Sequence, residues 1–275
     1  MVMKMDINGM TYAFEISGTG QPLLLLHGFT GSMETWRPFI KMWKEKFQVI
    51  IIDLPGHGQT DSPDDVSRYR MESTCFDLNV FLDRLGIENV YLLGYSMGGR
   101  VALSFTCLYP NRVKKLVFES SSPGLEGKLE REERVFSDEK LAKLIEEKGV
   151  EYFVHYWENI PLFQTQKTLP YHLRQKIRKE RMGQNPRGLA NSLRGMGTGT
   201  QPSWWHQLNK IQIPVQLIVG EKDSKFCRIG KRMESALPNA QYVEIENAGH
   251  AIHVEKSEIF GKIVMDFFMN KEGIH

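Results

Sequence analysis

Gly94-Tyr95-Ser96-Met97-Gly98-Gly99 is a G-x-S-x-G turn between a short apolar run and a helix-periodic one. In a strand–turn–helix setting this spacing holds a serine hydroxyl exposed on a tight, strained turn, and the glycines leave room for neighbouring backbone. A serine hydroxyl is a poor base or nucleophile without a histidine, and that histidine needs an acid to orient it. Both should follow Ser96, acid first, each just past a strand. The apolar run 215–220 leads to Glu221-Lys222-Asp223, and the run 242–246 leads to Asn247-Ala248-Gly249-His250. Asp223 and His250 are the expected acid and base. Glu221 and Glu119 are weaker competitors for the acid, and His253 is the nearest rival of His250. His27, His57, His155, His172, His206 and His275 fit the position badly.

Negative charge developing on a substrate oxygen needs donors. The Met97 N–H, at the start of a helix, is one. The other should come from the loop after an early strand. Residues 23–26 are followed by His27-Gly28-Phe29-Thr30-Gly31, which makes the Phe29 N–H the candidate and His27 a structural hydrogen-bonder. Asp53-Leu54-Pro55-Gly56-His57-Gly58 closes the next strand as a turn that shapes the rim.

The elements that must position these groups alternate. Residues 11–16 read as an outer strand, and 23–26, 49–53, 90–94 and 116–119 as buried strands. Residues 33–44, 72–85 and 97–109 read as helices. Buried strands separated by helices imply a mostly parallel sheet with helices on both faces. From Pro123 to about Gln207 the sequence is helical and charged, and Pro161, Pro170, Pro186 and Pro202 divide it into short helices. The sheet pattern returns at 214–220 and 240–246, before a last helix at 257–269. The expected organisation is an α/β core, residues 1–122 and 208–275, interrupted by a helical lid, 123–207, before the acid-bearing strand.

Composition limits the function classes. With 275 residues, 41% apolar and 25% charged, the chain is an ordinary globular protein. A net charge of +2 argues against a nucleic-acid partner. The excess is localised: residues 123–208 hold 14 Lys+Arg and 11 Asp+Glu, a net +3 over the serine. That suits a small anionic substrate. Cys75, Cys107 and Cys227 form no metal-binding spacing and read as buried thiols in a reducing, cytoplasmic compartment. Residues 1–12 carry charges and no apolar core, so no signal peptide is expected. The longest apolar runs are strand-sized, and no stable membrane insertion is expected.

Tyr95 and Arg100 flank the serine turn. A cation in the first turn of a helix opposes the helix dipole, which points to an anion-gripping use; taken alone, Arg100 also reads as a surface arginine with an acidic neighbour. Arg131 and Arg134 lie at i,i+3 in a charge run that equally describes a solvated helix. Trp157 sits in an aromatic stretch that lid packing explains as well. Arg194 ends a helix before a Gly/Thr-rich turn, where a C-cap also fits.

Together these features resemble the α/β-hydrolase superfamily. Epoxide hydrolases and haloalkane dehalogenases place an aspartate at the elbow, so Ser96 argues against both. The elbow through Arg100, Ser121-Ser122-Pro123-Gly124-Leu125 leading to Arg131 and Arg134, and Gly188-Leu189-Ala190 through Gln201-Pro202-Ser203 resemble the 2-succinyl-6-hydroxy-2,4-cyclohexadiene-1-carboxylate synthases of menaquinone biosynthesis. That resemblance implies a lyase, in which Ser96, activated by His250 and Asp223, acts as a base and triggers loss of pyruvate. The Phe29 and Met97 N–H groups would receive the developing charge. A substrate with three carboxylates would engage Arg100, Arg194 and either Arg131 or Arg134, with Tyr95 and Trp157 in the site. No metal or organic cofactor is implied. A serine hydrolase of esters or carbon–carbon bonds, and a small-molecule receptor of the same fold, are the alternatives.

Overall fold

The computed structural model describes residues 1–270, so His275 and the last residues of the expected core lie outside the described residues. Eight strands form one sheet: β1 (Met3–Ile7), β2 (Met10–Ser17), β3 (Gln21–Leu26), β4 (Phe47–Ile52), β5 (Val90–Tyr95), β6 (Val113–Glu119), β7 (Val215–Gly220) and β8 (Ala240–Ile245). Their spatial order is β1-β2-β4-β3-β5-β6-β7-β8. From β4 to β8 every pairing is parallel, while β1–β2 and β2–β4 are antiparallel. The expected outer strand at 11–16 is β2, and it is not the edge. β1 covers it through a hairpin whose Asn8-Gly9 turn has both residues at positive φ, the pairing that a two-residue hairpin loop favours.

Strand alternation divides the core by face. Leu24, Leu26, Ile50, Ile52, Leu92, Leu116 and Phe118 point to one side, against α2 (Met71–Arg84) and α3 (Met97–Leu108). Leu23, Leu25, Val49, Ile51, Leu93 and Val117 point to the other, against α1 (Arg37–Trp43) and a C-terminal helix, Ser257–Met269. Burial on both faces explains why these strands are continuous apolar runs.

Between β6 and β7 the chain forms α4 (Lys128–Trp157), a 3-10 stretch (Pro161–Thr168), α5 (Tyr171–Met182) and α6 (Pro186–Met196). α4 is longer than the short helices expected here, because no proline falls between Pro123 and Pro161 to interrupt it. Its break is at Gly149, where φ 78 and ψ 172 leave helical space. α4 and α6 share a small apolar cluster of their own, Ala142, Ile145, Phe153, Val154, Leu189, Ala190 and Leu193. After β7 come α7 (Ser224–Ala236), α8 (Ile252–Glu255) and α9, the C-terminal helix already described. Among the described residues no helix is long and apolar enough to cross a membrane.

Backbone meets backbone closely where α3 leaves β5. A Cβ on Gly98 would sit 2.3 Å from the Leu26 carbonyl oxygen, and one on Gly94 2.4 Å from the Gly98 oxygen. Backbone packs on backbone here, and no side chain can yield. Gly98→Ala is expected to cost about 1–3 kcal/mol in urea unfolding through this overpacking. A wild-type midpoint in that variant would show that the contact is not tight.

Candidate active site

The strand ends on one side of the sheet carry the site. Ser96 follows β5 with φ 49 and ψ −106, a strained conformation for a residue with a side chain. Three hydrogen bonds hold it there. The Ser96 N–H donates to the Glu119 carbonyl (2.8 Å), and the Arg100 N–H and Ser121 Oγ donate to the Ser96 carbonyl (3.1 and 2.9 Å). The serine side chain is thus turned out of the sheet.

Asp223 follows β7 and caps α7, accepting from the Phe226 N–H at 3.4 Å. Its other oxygen, Oδ2, lies 2.6 Å from His250 Nδ1, and His250 Nε2 lies 2.9 Å from Ser96 Oγ. The chain acid–imidazole–hydroxyl is continuous. Nδ1–H donates to the carboxylate, which leaves Nε2 free to accept the serine proton. His250 is buried among the rings of Tyr95, Phe163 and Phe226, with centroids 5.5, 6.1 and 4.7 Å away.

The rival groups have other partners. Glu119 pairs with His253 at 2.8 and 2.9 Å and also accepts the His253 N–H. Glu221 accepts the Asn247 N–H at 2.8 Å, tying the β7 and β8 loops together. His27 Nε2 accepts the Leu54 N–H at 3.0 Å, so its Nδ1–H donates to the Gly28 carbonyl. Burial lowers His27 to about 3 and His57 to about 4. Both are neutral struts beneath the Phe29 loop, and the His57 ring meets Phe29 edge-on at 5.7 Å.

Ser96 opens into a cavity of about 530 Å³ that Phe29, Tyr95, Met97, Arg100, Arg134 and Trp157 help to line. Among the described residues the Phe29 and Met97 N–H groups donate to no other group. Arg100 is anchored by Nη1, which donates to the Met196 carbonyl (2.6 Å) and to Gln201 Oε1. Burial lowers its pKa to about 9, and the Arg134 charge adds to the effect. Among the described residues no carboxylate bonds to it directly. A desolvated cation of this kind gains most from an anionic ligand. Arg134 also faces the cavity, with Nε held at 2.8 Å by Asp138. Trp157 is packed on Phe29 and Phe163, and its buried Nε1 has no partner among the described residues.

Two expected substrate residues are placed elsewhere. Arg131 donates from Nε to the Gly199 carbonyl (3.1 Å) and from Nη2 to the Gln201 carbonyl (3.1 Å), so it fastens the loop after α6 and does not line the cavity. Arg194 is gripped by two carboxylates, Glu139 (2.8 Å) and Glu146, and also lies outside the cavity wall. It joins α6 to α4. The acids lie some fifty residues upstream, which hides the pairing from local sequence reading. Conversely, the sequence does not single out Arg181, because α5 also carries Arg174, Lys176, Arg178 and Lys179. Arg181 is buried, lies 4.6 Å from the Phe163 ring centre, and donates to Gln166 Oε1 at 3.2 Å. It faces a second cavity of about 190 Å³ that shares Phe29, Tyr95 and Phe163 with the first. Burial lowers its pKa as well.

The profile of the α/β-hydrolase fold family matches residues 21–257. A Bacillus subtilis (strain 168) protein, provisionally named 2-succinyl-6-hydroxy-2,4-cyclohexadiene-1-carboxylate synthase, is 46% identical over 94% of this chain and 95% of its own. The chain belongs to this synthase family within the α/β hydrolases. The synthase of Photorhabdus laumondii is 32% identical over 91% of this chain and 87% of its own. The solved structure of MenH from S. aureus superposes with a TM-score of 0.89 at 37% identity, covering 94% of this chain and 97% of that one.

Two measurements follow from these placements. Arg194→Ala is expected to lose about 1–2 kcal/mol of stability, because Glu139 and Glu146 are left facing each other. KM should stay within about twofold of wild type, and a large rise in KM at unchanged stability would return Arg194 to the substrate. The second concerns His57, whose ordinary value is 6.5. Below that pH the unfolded chain binds a proton that the folded chain refuses until about pH 4, so stability is lost as pH falls through this window. Urea midpoints at pH 6.5 and pH 4 should fall further in wild type than in His57→Asn. Equal falls would contradict the buried neutral imidazole.

Proposed function

We propose that the chain is a carbon–oxygen lyase of menaquinone biosynthesis, acting in the cytoplasm. It converts 2-succinyl-5-enolpyruvyl-6-hydroxy-3-cyclohexene-1-carboxylate to 2-succinyl-6-hydroxy-2,4-cyclohexadiene-1-carboxylate and pyruvate. The observation that carries this reading is the pairing of an intact Ser96–His250–Asp223 chain with a desolvated, anion-seeking Arg100 in the same cavity. The relatives that share nearly the whole chain are named for this reaction.

The chemistry starts at the ring carbon beside the succinyl ketone. Ser96 Oγ takes its proton while passing its own to His250 Nε2, and Asp223 stabilises the resulting imidazolium. The electron pair moves toward the ketone oxygen, where the Phe29 and Met97 N–H groups donate to the growing charge. It then returns through the ring, the double bond shifts, and the carbon–oxygen bond to the enolpyruvyl group breaks. Pyruvate leaves as its enolate and is protonated at carbon. The ring gains a second double bond, no acyl-enzyme forms, and no metal or organic cofactor is called on. Arg100 and Arg134 hold substrate carboxylates, Arg181 is a further cation one ring away, and Tyr95 and Trp157 shape the walls.

An acid–imidazole–hydroxyl chain is also the geometry of ester hydrolysis, which is the second reading. With the enolpyruvyl substrate, wild type is expected to release pyruvate in step with the absorbance of the new diene. Ser96→Ala should lower that rate by at least about a thousandfold, and Arg100→Ala should act mainly by raising KM. Turnover of p-nitrophenyl esters without pyruvate release would overturn the lyase reading in favour of a hydrolase. Binding of the substrate without either reaction would favour a receptor.

A further inference from the structure

Several half-buried arginines of this fold are bonded to carboxylates. Arg68 meets Asp77, Arg194 meets Glu139 and Arg134 meets Asp138, each at 2.8 Å. Arg100 and Arg181 are held differently. Arg181 donates to Gln166 Oε1, and Arg100 donates to Gln201 Oε1 and the Met196 carbonyl. In both, the side-chain acceptor is a neutral amide. Among the described residues Arg100 Nε and Nη2 have no acceptor, and neither is a fully buried orphan. Arg100 lines the cavity that holds Ser96 and His250.

Gln201 is built to hold one arginine orientation. It is 1% exposed, so its amide is beyond the reach of a ligand and acts only on the groups it bonds. Its N–H donates to the Gly197 carbonyl at 3.0 Å, and its carbonyl accepts from Arg131 Nη2 at 3.1 Å. Its Nε2 donates to the Pro202 carbonyl at 3.4 Å, which turns Oε1 toward Arg100. Gly124, at φ 95, packs beneath the amide, where a Cβ would lie 2.7 Å from Nε2. Arg131, which does not line the cavity, thus supports Arg100 from a distance through this loop.

The neutrality of the acceptor matters as much as its position. A glutamate in this place would have nearly the same shape and would bond Arg100 more strongly. It would also compensate the charge. An amide oxygen fixes the guanidinium and leaves that charge to attract an anion. We infer that Gln201 is a positioning residue that sets the site's affinity for anions, orienting Arg100 through a neutral acceptor so that its charge is left for a carboxylate of the substrate. The inference rests on the reading of the Ser96 cavity as an anionic-substrate site.

Gln201→Glu and Gln201→Leu test it, the second also in an Arg100→Ala background. The probe is 2-(3-carboxypropanoyl)benzoate, a stable aromatic compound with a ring carboxylate and a succinyl ketone, and its binding is read by titration calorimetry. Gln201→Glu is expected to bind it at least about tenfold more weakly and to raise KM for the enolpyruvyl substrate by a similar factor, with little change in kcat. It should melt at or above the wild-type temperature, because the new carboxylate pairs with a desolvated cation. Gln201→Leu should also weaken binding about tenfold, and it should melt a few degrees lower. In Arg100→Ala, Gln201→Leu should change the remaining affinity by less than about twofold, because no guanidinium is left to position. A glutamine that only supports its loop would weaken binding only where it lowers stability, and by the same factor with or without Arg100. Affinity within about twofold of wild type in either single variant overturns the inference, as does an undiminished loss in the Arg100→Ala background. Failure of wild type to bind the probe overturns it too. Pyruvate release by wild type is measured in parallel. Its absence, with the expected pattern of probe binding, would remove the lyase reading and leave Gln201 as the residue that positions an anion-binding arginine.

Discussion

Backbone packed on backbone at Gly98 is the constraint on which the rest of the site depends. The start of α3 lies so close to the end of β3 that the Leu26 and His27 carbonyl oxygens occupy the space of a side chain. That contact sets how closely the end of β3, which leads into the Phe29 loop, approaches the start of α3 at Met97. It also forces the strand-to-helix turn to be completed within a few residues, which puts Ser96 at φ 49. The strain is held by the sheet: β6 receives the Ser96 N–H and Ser121 returns a hydrogen bond to its carbonyl. A preorganised site of this kind has little reorganisation left to do during reaction.

The electrostatics are arranged around the same point. Histidines that must stay neutral are buried without a carboxylate, as His27 and His57 are, and burial drives their pKa values down. The histidine that the proposed elimination would charge has Asp223 at 2.6 Å. The second histidine–carboxylate pair, His253 with Glu119, lies behind Tyr95, whose ring it meets at 4.5 Å. It braces Tyr95, the residue before Ser96, and makes no hydrogen bond to Ser96 itself. Cations show the same division. Arg194 and Arg131 are saturated by protein acceptors and hold the insertion together, whereas Arg100 and Arg181 are desolvated without a bonded carboxylate. The first group stabilises the free protein, and the second is what the proposed anionic substrate would pair with.

This division explains how much could be read in the sequence. Ser96, Asp223 and His250 each end an apolar run at a turn, so their types, order and local context single them out, and the structure brings them within hydrogen-bond distance. The parallel sheet was legible for the same reason, since strands buried on both faces leave uninterrupted apolar runs. β1, half exposed at the edge with Lys4 and Asp6 in it, leaves no such trace. The arginines were not legible. Whether an arginine is free or paired depends on acids such as Glu139 and Glu146, which approach Arg194 only when α4 folds on α6. Arg181 differs from its cationic neighbours on α5 by burial alone.

The central claim is that Ser96 removes a proton from carbon and that this removal starts the elimination. The direct measurement is the rate of pyruvate release from substrate carrying deuterium on the ring carbon beside the succinyl ketone. Breaking that bond in the slow step should make release severalfold slower than with ordinary substrate under single-turnover conditions. Equal rates for the two isotopes, with an adduct of substrate on Ser96 in the mass spectrum, would contradict the account and make Ser96 a nucleophile.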